Sequence, residues 1–196
     1  MIKLQGLHVE RGKVVFDFKD AIFSDKRITF ITGKNGFGKT TLLKTIAGLI
    51  PYTGTLLIEG NTTYTSQQPI IFNRSVYDNI VYPLYIRKLP IKEYEQKIKE
   101  YTNVLEIDHL LSQNGATLSA GEQMKVSIIR AIIFEPEIVL LDEPTTNLDI
   151  DSIHALERLL KKLKDNMTFL VVSHNEAFMS SFVHDEYKVG EEHVSR

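Results

Sequence analysis

The stretch Gly33-Lys34-Asn35-Gly36-Phe37-Gly38-Lys39-Thr40-Thr41 decides how the rest of the chain is read. The apolar run Ile28 to Ile31 precedes it and Leu42-Leu43 follows, so a strand, a glycine-rich turn and a helix come in the order that a phosphate cradle requires. The glycines let successive backbone N–H groups curl around an anion without Cβ clashes, and the helix start adds unpaired donors and a partial positive charge. Gly33, Asn35, Gly36, Gly38, Lys39, Thr40 and Thr41 are the candidate phosphate-binding residues of this P-loop. Lys39 would reach the terminal phosphates, and the Thr40 hydroxyl would take a magnesium ion. The competing reading is an ordinary glycine-rich turn that contains Lys-Thr by chance; the flanking strand and helix weigh against it.

A chain of 196 residues with 43% hydrophobic content can bury a real core as one large domain or two small ones. Its 23 basic and 25 acidic residues leave a formal charge of −2, so no global basic field draws it to nucleic acid or anionic lipid. The absence of cysteine excludes disulfides and thiolate metal sites. Met1 to Val15 lacks the continuous apolar core of a secretory leader, and no apolar run approaches the ~20 residues of a membrane helix. The expectation is a soluble, cytoplasmic chain that reaches a membrane only through a partner.

Upstream of the loop, Ile2, Leu4, Leu7, Val9, Val14, Phe16 and Phe18 alternate loosely around Arg11-Gly12-Lys13, which predicts a β-hairpin. Downstream, Gly48 and Pro51 close the loop's helix. Thr55 to Glu59 and Thr62 to Ser66 then read as two strands joined at Gly60-Asn61, so both regions predict one small antiparallel sheet. Between Asn73 and Leu111 the pattern turns helical, with Tyr94, Ile98, Tyr101 and Leu105 on one face and Glu93, Lys97, Lys99 and Glu100 on the other. Tyr77, Tyr82 and Tyr85 read first as packing residues and second as a docking surface for a partner. From Ser119 the pattern alternates again: a helix opened by Ser119 and Glu122 in capping-box spacing, the strand Ile138 to Leu141, a helix striped by Ile153, Leu156, Leu160 and Leu163, the strand Thr168 to Val172, a helix near Glu176 to Phe182, and a short tail. Such alternation predicts an α/β fold with a mainly parallel sheet, a small N-terminal antiparallel β-subdomain and a helical subdomain insertion.

Asp142 and Glu143 stand at the C-terminal end of an apolar strand, where open α/β sheets place their ligand sites. Asp142 can hold magnesium and Glu143 can polarise an attacking water; the competing reading is a solvated acidic turn before Pro144. His174 follows the next apolar strand. The remaining histidines, His8, His109, His154, His184 and His193, have no motif around them.

Taken in order, Gly33 to Thr41, Gln67, Leu118 to Gln123, Ile138 to Glu143, Thr146-Asn147-Leu148-Asp149 and His174 resemble the Walker A, Q-loop, signature, Walker B, D-loop and H-loop of an ABC-type ATP-binding cassette, a P-loop NTPase. The likeness spans nearly the whole chain. It implies one ABC ATPase domain over 1–196, with 1–72 and 112–196 as catalytic core and β-subdomain and 73–111 as helical subdomain. By that resemblance ATP and Mg2+ are bound, with Thr40, Gln67 and Asp142 as metal contacts and Glu143, His174 and Gln67 as catalytic residues. Ser119 and Gly121 would close on the nucleotide of a second cassette subunit in a head-to-tail homodimer or heterodimer, with Asp149 as a contact across it.

Ser75 to Leu84 is similar to the helical subdomain of stand-alone transporter cassettes, which implies a separate transmembrane permease docking near residues 73–90 and no direct nucleic acid contact. The chain would sit on the inner face of the cell membrane through that permease. Two rival functions remain: a soluble ABC ATPase in nucleic-acid or ribosome work, and a regulatory cassette that binds ATP without turnover. Three departures from the family pattern carry expectations. Ala120 stands where glycine is usual, a small loss if helical and a larger one if a positive φ is required. Glu10 to Lys13 offers no aromatic for adenine, and Phe16 is offset. Leu49 to Ser66 is short, so the antiparallel sheet should be trimmed.

Overall fold

The computed structural model describes residues 1–190 and the backbone pair Val194–Ser195; His193 lies outside these residues. In chain order the elements are β1 (Ile2–Arg11), β2 (Val14–Phe18), β3 (Ala21–Phe23), β4 (Ile28–Thr32), α1 (Lys39–Ile46), β5 (Thr53–Ile58), β6 (Thr62–Thr65), α2 (Val76–Ile86), α3 (Glu95–Val104), α4 (Ala120–Ile132), β7 (Ile138–Asp142), α5 (Ile150–Leu163), β8 (Thr168–Val172), α6 (Glu176–Ser180), β9 (Asp185–Lys188) and β10 (Val194–Ser195). Short 3-10 turns join the helices between α2 and α4.

Two sheets result. β1 is the spine of an antiparallel sheet: β2 and β3 pair with successive parts of it, β5 pairs with it as well, and β10 extends β2. Buried Ile2 and Leu4 stand three residues out of step with buried Leu7 and Val9, and the pairing of β1 with β5 slips between Gln5 and His8. Gly6, at φ 54°, sits in that slip, so a bulge restores the inward direction of the apolar residues. The second sheet is wholly parallel, in the order β6-β7-β8-β4-β9.

Side-chain parity divides the core into two layers on either side of the parallel sheet. Ile138 and Leu140 of β7, with Leu170 and Val172 of β8 and Ile31 of β4, pack toward α1 and the antiparallel sheet. Val139, Leu141, Phe169, Val171, Ile28 and Phe30 face the opposite layer, made by α2 to α6. A strand buried on both faces reads as a continuous apolar run, which is how β4, β7 and β8 read.

Two expectations are corrected. β5 and β6 do not form a hairpin: β5 pairs with β1, whereas β6 joins the parallel sheet beside β7. Gly60-Asn61 is the crossing between sheets rather than a reversal. Glu137, just before β7, accepts from the Asn61 backbone N–H at 2.7 Å and holds the start of β6 in place. The segment before Gln67 thus contributes one strand to the antiparallel sheet. The tail also contains structure: β9 runs parallel to β4 as an edge strand, and Tyr187 ties it to the hairpin by donating to the Lys19 carbonyl at 2.9 Å. Among the described residues no helix is long and apolar enough to cross a membrane.

Phe30 is fully buried and meets Phe178 edge to face at 6.0 Å. Phe30→Ala should therefore lower unfolding free energy by roughly 3–5 kcal/mol in urea titration, through lost burial and the cavity it leaves.

Candidate functional site

At the C-terminal ends of β4, β7 and β8 a cavity of about 600 Å³ opens, lined by Phe16, Asn35, Gly36, Gly38, Lys39, Thr40, Thr41, Gln67, Glu143, Thr146, Val172 and His174. β4 delivers the glycine-rich turn and α1 begins at Lys39, so residues of the turn and of the helix start line the same space. Gly38 caps this helix with φ 95°. A Cβ at Gly38 would come within 2.6 Å of the Phe16 ring, so only glycine admits the aromatic side chain against the loop. Phe16 therefore supplies an aromatic wall from β2. The sequence offset concealed it, because position along a hairpin does not reveal which residue crosses toward a loop in another layer.

The Lys39 side chain is buried and folds back over the loop: its Nζ donates to the carbonyls of Gly33 at 2.6 Å and Lys34 at 3.1 Å, and reaches Asn35 Oδ1 at 3.5 Å. Burial lowers its pKa, while Glu143 and Asp142 oppose that shift. The Thr40 hydroxyl donates to Asp142 Oδ1 at 3.0 Å, joining the helix start to the end of β7. Tyr64 on β6 donates to Asp142 Oδ2, also at 3.0 Å; burial, and then Asp142, raise its pKa, so the phenol keeps its proton. Nothing in the sequence around Tyr64 marks it, since the hairpin expected at Gly60-Asn61 would place its strand in the other sheet.

Glu143 has left-handed backbone geometry, φ 52°, immediately after β7. Such a conformation in a residue with a side chain costs of order 1–3 kcal/mol and is held here by the surrounding strand ends: the Glu143 N–H donates to the Val172 carbonyl at 2.9 Å. Its carboxylate accepts from the His174 backbone N–H at 3.3 Å and lies 3.3 Å from His174 Nε2. Burial raises the Glu143 pKa against the opposing influence of His174. Asp142 and Glu143 therefore point into different surroundings, one tied to Thr40 and Tyr64, the other to His174 at the cavity wall.

Gln67 is exposed and lines the cavity mouth. The chain beyond it is pinned by two residues that sequence reading left out. Asn79, fully buried on α2, accepts from the Phe72 N–H at 2.9 Å and donates to the carbonyls of Phe72 and Ser75, both at 3.0 Å. Arg130 on α4 donates to the Ile70 carbonyl at 2.6 Å. The tyrosines divide: Tyr77 donates to Glu95, Tyr82 meets Phe72 edge to face, and Tyr85 is exposed, contrary to the packing role expected of all three.

Ser119, Gly121 and Asp149 are not among the residues lining this cavity. Ser119 accepts from the Glu122 N–H at 3.3 Å while Glu122 accepts from the Ser119 N–H at 2.8 Å, a capping box that opens α4. Ala120 is the first residue of that helix and is absent from the positive-φ positions, so the milder of the two expected consequences applies. Gly121 packs on the loop before α5: a Cβ there would meet the Asn147 carbonyl at 2.6 Å. Asp149 caps α5, accepting from the Ser152 N–H at 2.7 Å, and hydrogen bonding to the Ser152 hydroxyl first, and to its backbone N–H second, holds its pKa down.

These groups suit a nucleotide and a divalent cation. A glycine loop aimed with a lysine is complementary to several negative oxygens. Thr40 and Asp142 form a hard-oxygen pair of the kind that completes a magnesium shell together with phosphates and water.

The model of the family described as ABC transporter matches residues 20–146. The molybdate/tungstate import ATP-binding protein WtpC of Pyrococcus horikoshii is 38% identical over 161 residues, covering 76% of this chain and 47% of that protein. The tungstate uptake system ATP-binding protein TupC of Peptoclostridium acidaminophilum is 33% identical over 175 residues, covering 84% and 82%. The chain spans about half the length of the molybdate/tungstate relatives it matches. A solved structure described as the ATP binding subunit of an ABC transporter shares the fold at a TM-score of 0.89 over 96% of this chain and 85% of its own, with 21% identity.

Because burial raises the pKa of Glu143, the folded protein holds that proton more tightly than the unfolded chain does. Its contribution to stability is fully present below the ordinary value of 4.5 and is lost as pH rises through the raised value. Glu143→Gln should remove this loss: thermal melts from pH 4.5 to 7.5 should show the variant gaining stability relative to the parent as pH increases.

Proposed function

The chain belongs to the ABC transporter family, and from that premise we propose that it is the ATP-binding and hydrolysing subunit of a membrane transporter. The observation that carries this reading is that Lys39, Thr40, Glu143 and His174 line one cavity beside a glycine-rich helix start, with Asp142 buried behind Thr40 and hydrogen-bonded to its hydroxyl. In this reading the loop N–H groups and Lys39 bind and orient the ATP phosphates. Thr40 and Asp142, with Gln67 at the mouth, hold Mg2+, which when bound neutralises charge on the phosphate oxygens. Glu143 is placed to polarise a water, and its pairing with His174 sets the direction of its carboxylate.

The same reading makes 1–196 a single cassette with a helical subdomain at 73–111. Its site is completed by a second cassette subunit, whose Ser119 and Gly121 would face the bound nucleotide; the position of Ser119 and Gly121 outside the cavity of their own subunit supports this. Asp149 is proposed to add a contact across that interface. A separate permease docks near residues 73–90, where Tyr85 and Ile86 are exposed, and places the subunit on the cytoplasmic face of the membrane. The relatives named for molybdate, tungstate and phosphate uptake make a tetrahedral oxyanion the first cargo class to test.

Purified protein, with its permease where required, should hydrolyse ATP only with Mg2+. In single-turnover measurements Glu143→Gln should bind nucleotide normally and turn over at least ~100-fold more slowly; equal rates would instead favour a cassette that binds without turnover. Lys39→Ala should lose most nucleotide affinity by fluorescence titration, and near-normal binding would contradict the weight given to the loop.

A further inference from the structure

β6 carries four side-chain hydroxyls in a row, at Thr62, Thr63, Tyr64 and Thr65. Among the described residues those of Thr62, Thr63 and Thr65 are buried without a hydrogen-bond partner. Tyr64 is different: its hydroxyl ends 3.0 Å from Asp142 Oδ2. The register explains how. Tyr64 pairs with Leu140 across β6 and β7, and alternation puts Leu140 and Asp142 on the same face of β7. Asp142 lies two residues further along, about 6.6 Å at the usual strand rise, a span the length of a tyrosine side chain can bridge. A shorter residue at position 64 would stop beside Leu140.

Asp142 thus has both oxygens engaged by donors on different elements, Oδ1 by Thr40 of α1 and Oδ2 by Tyr64 of β6. Two donors anchored on separate elements fix the plane of the carboxylate, whereas a carboxylate held by one donor can rotate about its own bond. Resting on the ATPase reading above, we infer that Tyr64 is a positioning residue for the metal site: its hydroxyl holds Asp142 at the orientation in which Asp142 and Thr40 together receive Mg2+. Tyr64 also stands three residues before Gln67, so the strand that orients Asp142 is the strand from which the Gln67 loop departs.

The test is the affinity of Mn2+, used in place of Mg2+, for the protein saturated with a non-hydrolysable ATP analogue, followed by electron paramagnetic resonance. Tyr64→Phe should weaken Mn2+ binding about tenfold or more, the usual consequence of removing a partner behind a metal ligand, while analogue affinity in EDTA and the urea midpoint stay near those of the parent. In an Asp142→Asn background the same substitution should change Mn2+ affinity less than twofold. Should the phenylalanine variant not fold, Tyr64→Met carries the same loss of the hydroxyl with an adaptable apolar chain. Unchanged Mn2+ affinity overturns the inference. Tighter Mn2+ binding overturns it too, because the hydroxyl would then be withdrawing charge from Asp142 rather than aiming it. An undiminished tenfold loss in the Asp142→Asn background would show that Tyr64 acts elsewhere. Absence of any Mn2+ binding by the parent complex would instead remove the ATPase reading itself.

Discussion

The burial of β7 and β8 on both faces is the constraint on which the site depends. Ile138 and Leu140 are committed to one apolar layer and Val139 and Leu141 to the other, so a slip of one residue would exchange the two sets. The polar residues that end the strands inherit this fixed register. Asp142 comes out toward α1, where Thr40 meets it, and Glu143 turns into left-handed geometry against the end of β8 and the backbone of His174. The site's precision is thus a consequence of the core rather than of the loops, which is where rigid elements place reactive groups most reliably.

How far the sequence discloses this follows from which signals are local. The glycine-rich turn, the capping box at Ser119 and Glu122, and the runs through β4, β7 and β8 are each complete within a few residues, and each was legible. β6 is not legible because Gly60-Asn61 has the composition of a hairpin turn, whereas the strand's partners, β7 and the Glu137 carboxylate that accepts from Asn61, lie about 76 residues away in the chain. β9 escaped notice because it is an edge strand of largely exposed, mostly charged residues and has no apolar run to announce it. Phe16, set aside as offset, and Tyr64, unmarked, share a related reason: each acts across a layer or a strand pair, and their partners Gly38 and Asp142 are visible only once the sheets are assembled.

The same distinction separates the two ends of α4. Its start was readable from Ser119, Ala120 and Glu122, and its backbone is ordinary helix. Near its other end Arg130 reaches back to the Ile70 carbonyl and to Asn79 at 3.3 Å, stitching the helix to the run that leaves Gln67. A half-buried guanidinium needs such acceptors to offset its desolvation, and burial lowers its pKa. One helix therefore connects the capped segment after Leu118 with the segment after Gln67, two regions separated by some fifty residues of chain.

Lys39, curled over the carbonyls of Gly33 and Lys34, gives the loop an internal occupant. An arriving anion does not meet a vacant charge but must win the ammonium from acceptors it already has. A weak or singly charged visitor gains little from that trade, because the hydrogen bonds it offers replace others of similar strength. A polyphosphate gains more, since several of its oxygens compete at once. The loop thus carries its charge already engaged, so on the proposed reading any phosphate it takes must offer more than the two carbonyls it displaces.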